Sequence, residues 1–210
     1  LKAAVETEDL TKLAADVKPN VPWADDHFEE RVGGLPLNPG VEWAHWPWGN
    51  SANSFRSESV PTGPRNPSRD EKDLGFTPGF SHTYAERMWP RQANLNRDVD
   101  EPHRGIRYRY GDAGDVVDHL ATHPDSRQAY LPIWFPEDTG KTEVRVPCTL
   151  GYHFIHRKGY LHCTYYIRSC DVYRHLRDDV YLTVRLQLWM LDRLREHQKG
   201  VDSAGVDWCD

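Results

Sequence analysis

The chain has 210 residues, which is enough for one domain with a substantial core and too few for two of ordinary size. It carries 26 basic and 32 acidic residues and a formal charge of −6, so its composition gives no electrostatic reason to expect nucleic-acid binding. No apolar run of membrane length and no signal peptide are visible. We therefore expect a single cytoplasmic domain over residues 1–210, with neither a membrane nor a nucleic acid as partner.

The N-terminal part begins with a predicted helix and continues into a long region without periodic signals. Within residues 7–17, the apolar residues Leu10, Leu13 and Val17 are spaced so that they share one helical face. Residues 18–80 are dense in Pro, Gly, Asn and Trp, and the tryptophans argue against disorder. This loop-rich region is predicted to form ordered loops with short helices that line a site.

Regular elements return after residue 111. Asp112 can cap a helix, which should stop near Pro124 because proline lacks a backbone donor. The remaining predicted elements are a strand at 129–135, two strands at 149–169 joined by a tight turn at Lys158-Gly159, and a largely buried helix at 178–198. Helices that flank a mainly antiparallel or mixed sheet predict an α+β domain.

The cysteines and histidines do not have metal-site spacing. The four cysteines are Cys148, Cys163, Cys170 and Cys209. None of them belongs to a Cys-x-x-Cys pair. His153 and His156 lie close to Cys163 in sequence, but residues three apart in a strand point to opposite faces. No metal site is therefore predicted.

Two short segments carry residues that could do chemistry. Cys148 follows a proline at the start of a strand, and its thiol would be a nucleophile if Arg145 or Arg168 lowered its pKa. A small, unreactive residue packed in the strand fits the same pattern. Arg168 and Ser169 offer a fork of N–H donors and a hydroxyl, which suits a phosphate. A surface salt bridge would use the same arginine.

The motifs "VPCTLGYHF" and "LHCTYYIRSCDVY", followed by an apolar helix, resemble the thymidylate synthase superfamily. In that family a Pro-Cys nucleophile precedes an Arg-Ser-x-Asp motif by twenty residues, as Cys148 precedes Arg168. Three upstream segments are also similar to family segments: "YGDAGDVVDHLATHPDSRQAYLPIW", "SHTYAERMW" and "EWAHWPWGN". The resemblance covers about residues 40–210 and implies a thymidylate synthase-like mixed sheet flanked by helices. It also implies a homodimer that packs sheet to sheet.

Carried over by position, the resemblance implies roles for the residues that hold and attack the substrate. Cys148 would attack carbon 6 of a pyrimidine nucleotide, which makes carbon 5 a nucleophile. Arg168 and Ser169 would hold the 5′-phosphate. Arg127 would reach across the dimer interface to the phosphate in the partner's site.

The resemblance also implies the groups that move protons and hold the cofactor. Glu42 would be a general acid/base that works through water, and Tyr84 would join the proton network. The tryptophans around Glu42 suit this role, because an apolar wall raises the pKa of a carboxyl group toward working pH. Asp171 and Trp46 would contact the cofactor, methylenetetrahydrofolate.

Asp179 narrows the resemblance to one branch of the family. Eleven residues after the phosphate arginine, the enzymes that act on uracil carry an asparagine, whereas this chain has Asp179. A carboxylate lacks a donor for the uracil carbonyl but can accept from the amino group and the protonated ring nitrogen of cytosine. The resemblance therefore implies a deoxycytidylate hydroxymethylase that converts dCMP to 5-hydroxymethyl-dCMP. Without the resemblance, Asp178 and Asp179 would be explained by the dipole of the following helix.

Several departures from the family pattern keep two alternatives open. Arg174, His175 and Asp178 stand where the family has an apolar stretch that packs on folate, and Thr149 stands where it has a histidine. The chain ends at "VDWCD", where the family continues into a strand that binds the sugar, so we expect this C-terminal strand region to be missing. One alternative is hydroxylation of dCMP at carbon 5 without folate. The other is a non-catalytic nucleotide-binding dimer.

Overall fold

A computed structural model describes residues 9–37, 82–90, 92, 111–139 and 146–203 of the chain. The five helices in these residues are α1 (Leu10–Val17), α2 (Trp23–Val32), α3 (Tyr84–Met88), α4 (Ala113–Thr122) and α5 (Leu176–Ser203). The three strands are β1 (Tyr130–Pro132), β2 (Thr149–Arg157) and β3 (Tyr160–Ile167), and a short 3-10 helix covers Pro136–Asp138. Helices around an antiparallel sheet confirm the predicted α+β class.

The three strands form one antiparallel sheet in the order β1-β2-β3. β2 and β3 are joined by the predicted tight turn, in which Lys158 (φ 52°) and Gly159 (φ 79°) both adopt the left-handed conformation. Two consecutive left-handed residues match the twist of the flanking strands. Every pairing among the described strands is antiparallel, so the mixed sheet that the resemblance implies is not seen in this part of the chain.

An irregularity interrupts the pairing at the start of β2. Thr149 pairs with Ile167 and Gly151 pairs with Tyr166, so β2 has one extra residue between these two pairs. In a regular strand, residues three apart face opposite sides of the sheet. Because of the extra residue, Thr149 and Tyr152 both lie on the inner face, and each is only 1% exposed.

The core lies between the inner face of the sheet and the helices. Its buried residues include Leu131, Tyr152, Phe154 and Leu161 from the sheet, Val117 and Leu120 from α4, and Leu182, Leu186 and Met190 from α5. A smaller cluster joins α1 and α2 to α5 through Leu13, Trp23, Tyr181 and Val184. The apolar periodicity of the last helix predicted this burial, although the helix begins and ends outside the predicted bounds.

Local hydrogen bonds explain where two predicted helices begin. The side chain of Asp9 accepts from the backbone N–H of Lys12 at 3.0 Å, so α1 begins at residue 10 and not at residue 7. Asp112 caps α4 as predicted, and the Asp115 carboxylate accepts from the Asp112 N–H at 3.0 Å. The helix ends at Thr122, two residues before Pro124.

Asp178 fixes the start of α5 to the loop between α1 and α2. Its carboxylate is 1% exposed and accepts from the backbone N–H and the side-chain amide of Asn20, both at 2.7 Å. Arg177 donates in turn to the side-chain oxygen of Asn20 at 2.6 Å. Asp178 stands where the family has an apolar residue that packs on folate, and in this chain its carboxylate is buried in an interior contact instead.

Candidate active site

The antiparallel pairing brings the predicted nucleophile and the predicted phosphate clamp together. The end of β3 lies beside the start of β2, and the Arg168 N–H donates to the Cys148 carbonyl at 2.9 Å. The Ser169 hydroxyl donates to the Cys148 sulfur at 3.5 Å. The thiol is half-buried, so a small group can reach it from the side of Ser169.

Backbone carbonyls hold the guanidinium of Arg168 in place. Its Nε donates to the carbonyl of Pro147 at 2.8 Å and its Nη2 to the carbonyl of Val146 at 3.1 Å. Its Cζ also lies 5.3 Å from the centre of the Trp134 ring. Arginine has five N–H donors, and the residue is exposed, so donors remain for an anion. An oriented fork with spare donors is what a phosphate group requires.

Asp179 lies in the first turn of α5 with both carboxylate oxygens occupied by donors. Tyr165 donates to Oδ1 and the Cys170 thiol donates to Oδ2, each at 3.3 Å. Burial raises the pKa of Asp179, and the Cys170 contact, the Arg31 charge and the His175 charge oppose that rise. Each carboxylate oxygen has two lone pairs, so each can accept one further hydrogen bond.

A chain of hydroxyl groups runs from Asp179 toward α3. The Thr149 hydroxyl lies 3.0 Å from the hydroxyl of Tyr165 and 3.0 Å from the hydroxyl of Tyr84. The Tyr165 ring stacks on Tyr152, with 5.0 Å between the ring centroids and 13° between the planes. Each hydroxyl in this chain is therefore held by its neighbours and by ring packing.

Electrostatic effects tie Tyr84 to the same site. Burial raises the pKa of Tyr84 and keeps its phenol protonated near neutral pH. The Arg31 charge opposes this rise, while negative charge on Asp179 or Cys148 adds to it. The pKa of Tyr84 therefore responds to the charge of both Asp179 and Cys148.

Helix α2 contributes a buried cation that sequence reasoning missed. Arg31 is 6% exposed, its Cζ lies 4.0 Å from the centre of the Tyr84 ring, and its Nη1 donates to the Tyr152 hydroxyl at 3.3 Å. Its Nη2 lies 2.6 Å from Nε2 of His27. Burial and then the Arg31 charge lower the pKa of His27 well below its usual range, so His27 accepts as a neutral ring. Their spacing of four residues on one helix was the available signal.

Arg127 lies apart from Cys148, on the opposite side of the sheet. Together with Tyr130, Leu150, His153 and Tyr166 it lines a hollow of about 340 Å³, and these five residues define the outer face of the sheet. The Arg127 carbonyl is 2.9 Å from Nε2 of His153. The structure therefore does not bring Arg127 to the site of its own chain.

Asp171 caps an exposed turn next to the site. Its Oδ1 accepts from the backbone N–H groups of Tyr173 and Arg174, both at 3.2 Å, and its Oδ2 lies 3.7 Å from Nε of Arg174. Val172 is 62% exposed and Tyr173 is 98% exposed. An accessible carboxylate beside an apolar and an aromatic side chain fits the acceptor and the flat wall that a pterin needs.

Comparison with known proteins identifies the family. A family model described as thymidylate synthase matches residues 23–177. The chain belongs to the thymidylate synthase family. A search of solved structures finds similarity to the crystal structure of thymidylate synthase from T4 phage, with 22% identity and a TM-score of 0.45. The match covers 85% of this chain and 55% of that chain, so the chain spans about half the length of this relative.

Several predicted residues of this thymidylate synthase family member lie outside the described residues. These residues are Glu42, Trp46, Arg145 and Cys209. The predicted general acid/base and the second cofactor contact therefore remain predictions. Among the residues that are described, no three His, Cys, Asp or Glu side chains converge to hold a metal ion. No helix in the same residues is long and apolar enough to cross a membrane.

Proposed function

We propose that this thymidylate synthase family member is a transferase that modifies carbon 5 of dCMP through a covalent adduct with Cys148. The group added would be a hydroxymethyl group, which gives 5-hydroxymethyl-dCMP of the kind used in modified phage DNA. The observation that carries the proposal is the environment of Asp179. This carboxylate is anchored by Tyr165 and Cys170 close to the predicted nucleophile and phosphate clamp.

The anchored carboxylate favours cytosine over uracil. Asp179 already accepts from two donors, and each of its oxygens can accept once more. Cytosine presents an amino group and, when protonated, a ring N–H, and both would meet an acceptor. Uracil presents a carbonyl at the position of the amino group, and leaving such a buried group unpaired costs roughly 1–3 kcal/mol.

The proposed covalent step uses the sulfur of Cys148. Its thiolate forms a bond to carbon 6 of the ring, and the electron pair of the 5,6 double bond moves toward carbon 4 and the ring nitrogen. Carbon 5 thereby becomes a nucleophile, and the later loss of sulfur from carbon 6 restores the double bond. Arg168 and Ser169 would hold the phosphate and fix the distance between sulfur and ring.

The one-carbon unit would come from methylenetetrahydrofolate, which supplies carbon at the formaldehyde level when it is bound. The exposed turn at Asp171 would hold its pterin, with the carboxylate as acceptor and Tyr173 as a flat wall. One of the charged residues that argued against folate is engaged elsewhere, because Asp178 is buried against Asn20. Arg174 lies beside Asp171, at the proposed pterin contact itself.

The active unit would be a homodimer with shared sites. Tyr130 in β1 and Tyr166 in β3 both lie on the outer face and are 41% and 42% exposed, so a pair of aromatic side chains there is open to a partner. A second copy packed on this face would bury them and would bring Arg127 toward the partner's phosphate site. Mixing an Arg127→Ala protomer with a Cys148→Ser protomer should then restore activity, because the mixed dimer contains an intact site. If the mixture stays as inactive as each variant alone, the proposal that two protomers share each site would be contradicted.

Mass spectrometry of dCMP incubated with the protein, with and without methylenetetrahydrofolate, tests the proposed reaction. We expect a gain of one CH2O unit that requires both the folate and Cys148, with Cys148→Ser as the matched control. A gain of one oxygen without folate would support hydroxylation instead. No change in dCMP would support a nucleotide-binding dimer.

A further inference from the structure

The hydroxyl chain connects Asp179, which the proposed reaction uses to recognise the base, with Tyr84, which the resemblance assigns to the proton network. Asp179 is at one end, where it would face the edge of the base in the proposed reaction, and Tyr84 is at the other end. The two hydroxyls between them belong to Tyr165 and Thr149, and the three O–O distances along the chain are 3.3, 3.0 and 3.0 Å. All three distances allow hydrogen bonds, so protons can be passed along the chain without movement of the backbone.

We propose that Thr149 and Tyr165 are positioning residues that form a proton relay between Asp179 and Tyr84. The relay would carry the proton released at carbon 5 to the ring nitrogen of the same base. This inference rests on the proposed function, because it assigns a path to a proton that the proposed reaction must move. Neither Thr149 nor Tyr165 was among the site residues predicted from the sequence.

The relay balances within the bound nucleotide. Once carbon 5 of the adduct has bonded to the one-carbon unit, or to a solvent proton when folate is absent, carbon 5 is tetrahedral and the C4–N3 double bond is restored. The original proton on carbon 5 then leaves to the Tyr84 oxygen, while Tyr84 passes its own proton to Thr149. Thr149 passes its proton to Tyr165, Tyr165 passes its proton to Asp179, and Asp179 delivers one to the ring nitrogen. The electron pair of the broken C–H bond forms a double bond between carbons 4 and 5, and the former C4–N3 double-bond pair accepts the proton at nitrogen. Every hydroxyl ends with one proton, and no other reactant is consumed.

Burial favours this path over exchange with solvent. Thr149 is 1% exposed, and Tyr165 is fixed by its stack on Tyr152 and by its contact with Asp179. Thr149 directly follows Cys148 in the chain, so one member of the relay is adjacent to the proposed nucleophile. In the structure the Thr149 hydroxyl donates to the Tyr84 oxygen, so it must turn to accept the proton from Tyr84. A hydroxyl can both donate and accept and can reverse its orientation in this way.

Charged and titratable groups from each neighbouring element face Asp179 and affect when it carries a proton. They are Arg31 from α2, Tyr84 from α3, Tyr152 from β2, Tyr165 from β3, and Cys170 and His175 from the turn before α5. Arg31 and His175 favour the carboxylate form, and burial favours the protonated form. Burial and these charges act on the pKa of Asp179 in opposite directions, and a carboxyl group in a relay has to both accept and release a proton.

Release of tritium from dCMP labelled at carbon 5 tests the relay, because it reports exchange at carbon 5 without folate. Thr149→Val keeps the shape of the side chain and removes its hydroxyl. We expect a loss of release rate of roughly 100-fold with little change in KM, as for the loss of a general acid–base group. Thr149→Ser should restore most of the rate. Tyr165→Phe should slow release to a similar extent, whereas Tyr160→Phe, at the exposed start of β3, should not.

The solvent isotope effect separates a relay from a packing role. With the relay intact, we expect the rate measured in mixtures of H2O and D2O to show that more than one proton is transferred in the slow step. We expect the number of transferred protons to fall in Thr149→Val. Wild-type rates and isotope effects in both Thr149→Val and Tyr165→Phe would overturn the relay while leaving the proposed function intact. No tritium release by the wild-type protein would overturn both.

Discussion

The thiol of Cys170 donates to Oδ2 of Asp179 across 3.3 Å, from the turn that follows the phosphate clamp. Through this contact the segment that would hold the phosphate also orients the carboxylate that would read the base. In the proposed function, one short stretch, 168–179, together with Tyr165, would therefore set both the position of the phosphate and the choice of the base.

Substitution of Asp179 should change which base is used. In Asp179→Asn the side chain gains a donor for the uracil carbonyl and loses an acceptor for cytosine, so we expect dCMP turnover to fall and dUMP turnover to rise. The change in their kcat/KM ratio should be about 10-fold or more, since mispairing one buried group costs roughly 1–3 kcal/mol. Steady-state kinetics with both nucleotides checks this, and an unchanged ratio would contradict base recognition by Asp179.

Substitution of the adjacent Asp178 is the matched control and should affect stability instead. Asp178→Ala leaves two donors of Asn20 without their acceptor in a part-buried contact. We expect a loss of roughly 1–3 kcal/mol in the free energy of unfolding, with no change in base preference in the folded protein. Denaturant unfolding measures the first quantity, and a shifted dCMP-to-dUMP ratio would show that the two aspartates share a role.

The pH dependence of kcat/KM for dCMP should report the raised pKa of Asp179. The ionised carboxylate is the form that accepts from cytosine, so kcat/KM should fall as pH falls through this pKa. The Cys170 contact lowers the pKa against the larger effect of burial. Cys170→Ala should therefore move the acid limb of the profile to higher pH, and Cys170→Ser should leave it nearer the wild-type position. An acid limb that does not move in Cys170→Ala would contradict this assignment.

The cysteines should differ in reactivity. Burial raises the pKa of Cys163 to about 12, and burial together with the Asp179 contact raises the pKa of Cys170 to about 12. Both thiols are thus protonated at pH 7, and the thiolate is the reactive form. Brief treatment with iodoacetamide should modify Cys148 before these two, as measured by peptide mass spectrometry, and dCMP should protect it. Faster labelling of Cys163 than of Cys148 would refute this order.

Gly151 should not tolerate a larger residue. A Cβ atom at this position would lie 2.7 Å from the Leu131 carbonyl oxygen and would overlap the Tyr130 ring, and the backbone atom cannot easily move. Gly151→Ala should lower the thermal midpoint, with a loss of about 1–3 kcal/mol from overpacking. Gly200→Ala is the control, because open space surrounds that helical glycine and alanine favours a helix. A similar midpoint for both variants would contradict the tight approach of β1 to β2.

Patterns repeated along the chain predicted most of the described fold. Alternation and the Lys158-Gly159 turn located the β2–β3 hairpin, and apolar spacing located α1, α4 and α5. β1 is shorter than the predicted 129–135, because only residues 130–132 pair with β2. Helix α2 was not placed individually, because its burial depends on Trp23, His27 and Arg31, whose polar atoms hide its apolar spacing.

The positions of candidate site residues were predictable only for residues that belong to a sequence motif. The twenty-residue spacing of Cys148 and Arg168 predicted their meeting, because antiparallel strands return the chain to its starting edge. The roles of Tyr165 and Arg31 depend on contacts between residues far apart in sequence, such as Arg31 with Tyr152. Nothing in the local sequence around these two residues indicates such contacts.

The extra residue in β2 limits how this strand can evolve. It is the reason that Thr149 and Tyr152 share the inner face while Leu150 and His153 share the outer one. Deleting a single residue near Leu150 would restore regular alternation along β2. The side chains on one side of the deletion would then move from the inner face to the outer face, and their neighbours would move the other way. Insertions and deletions here are therefore expected only in pairs, because a single one would change the orientation of Cys148 relative to the proposed dimer face.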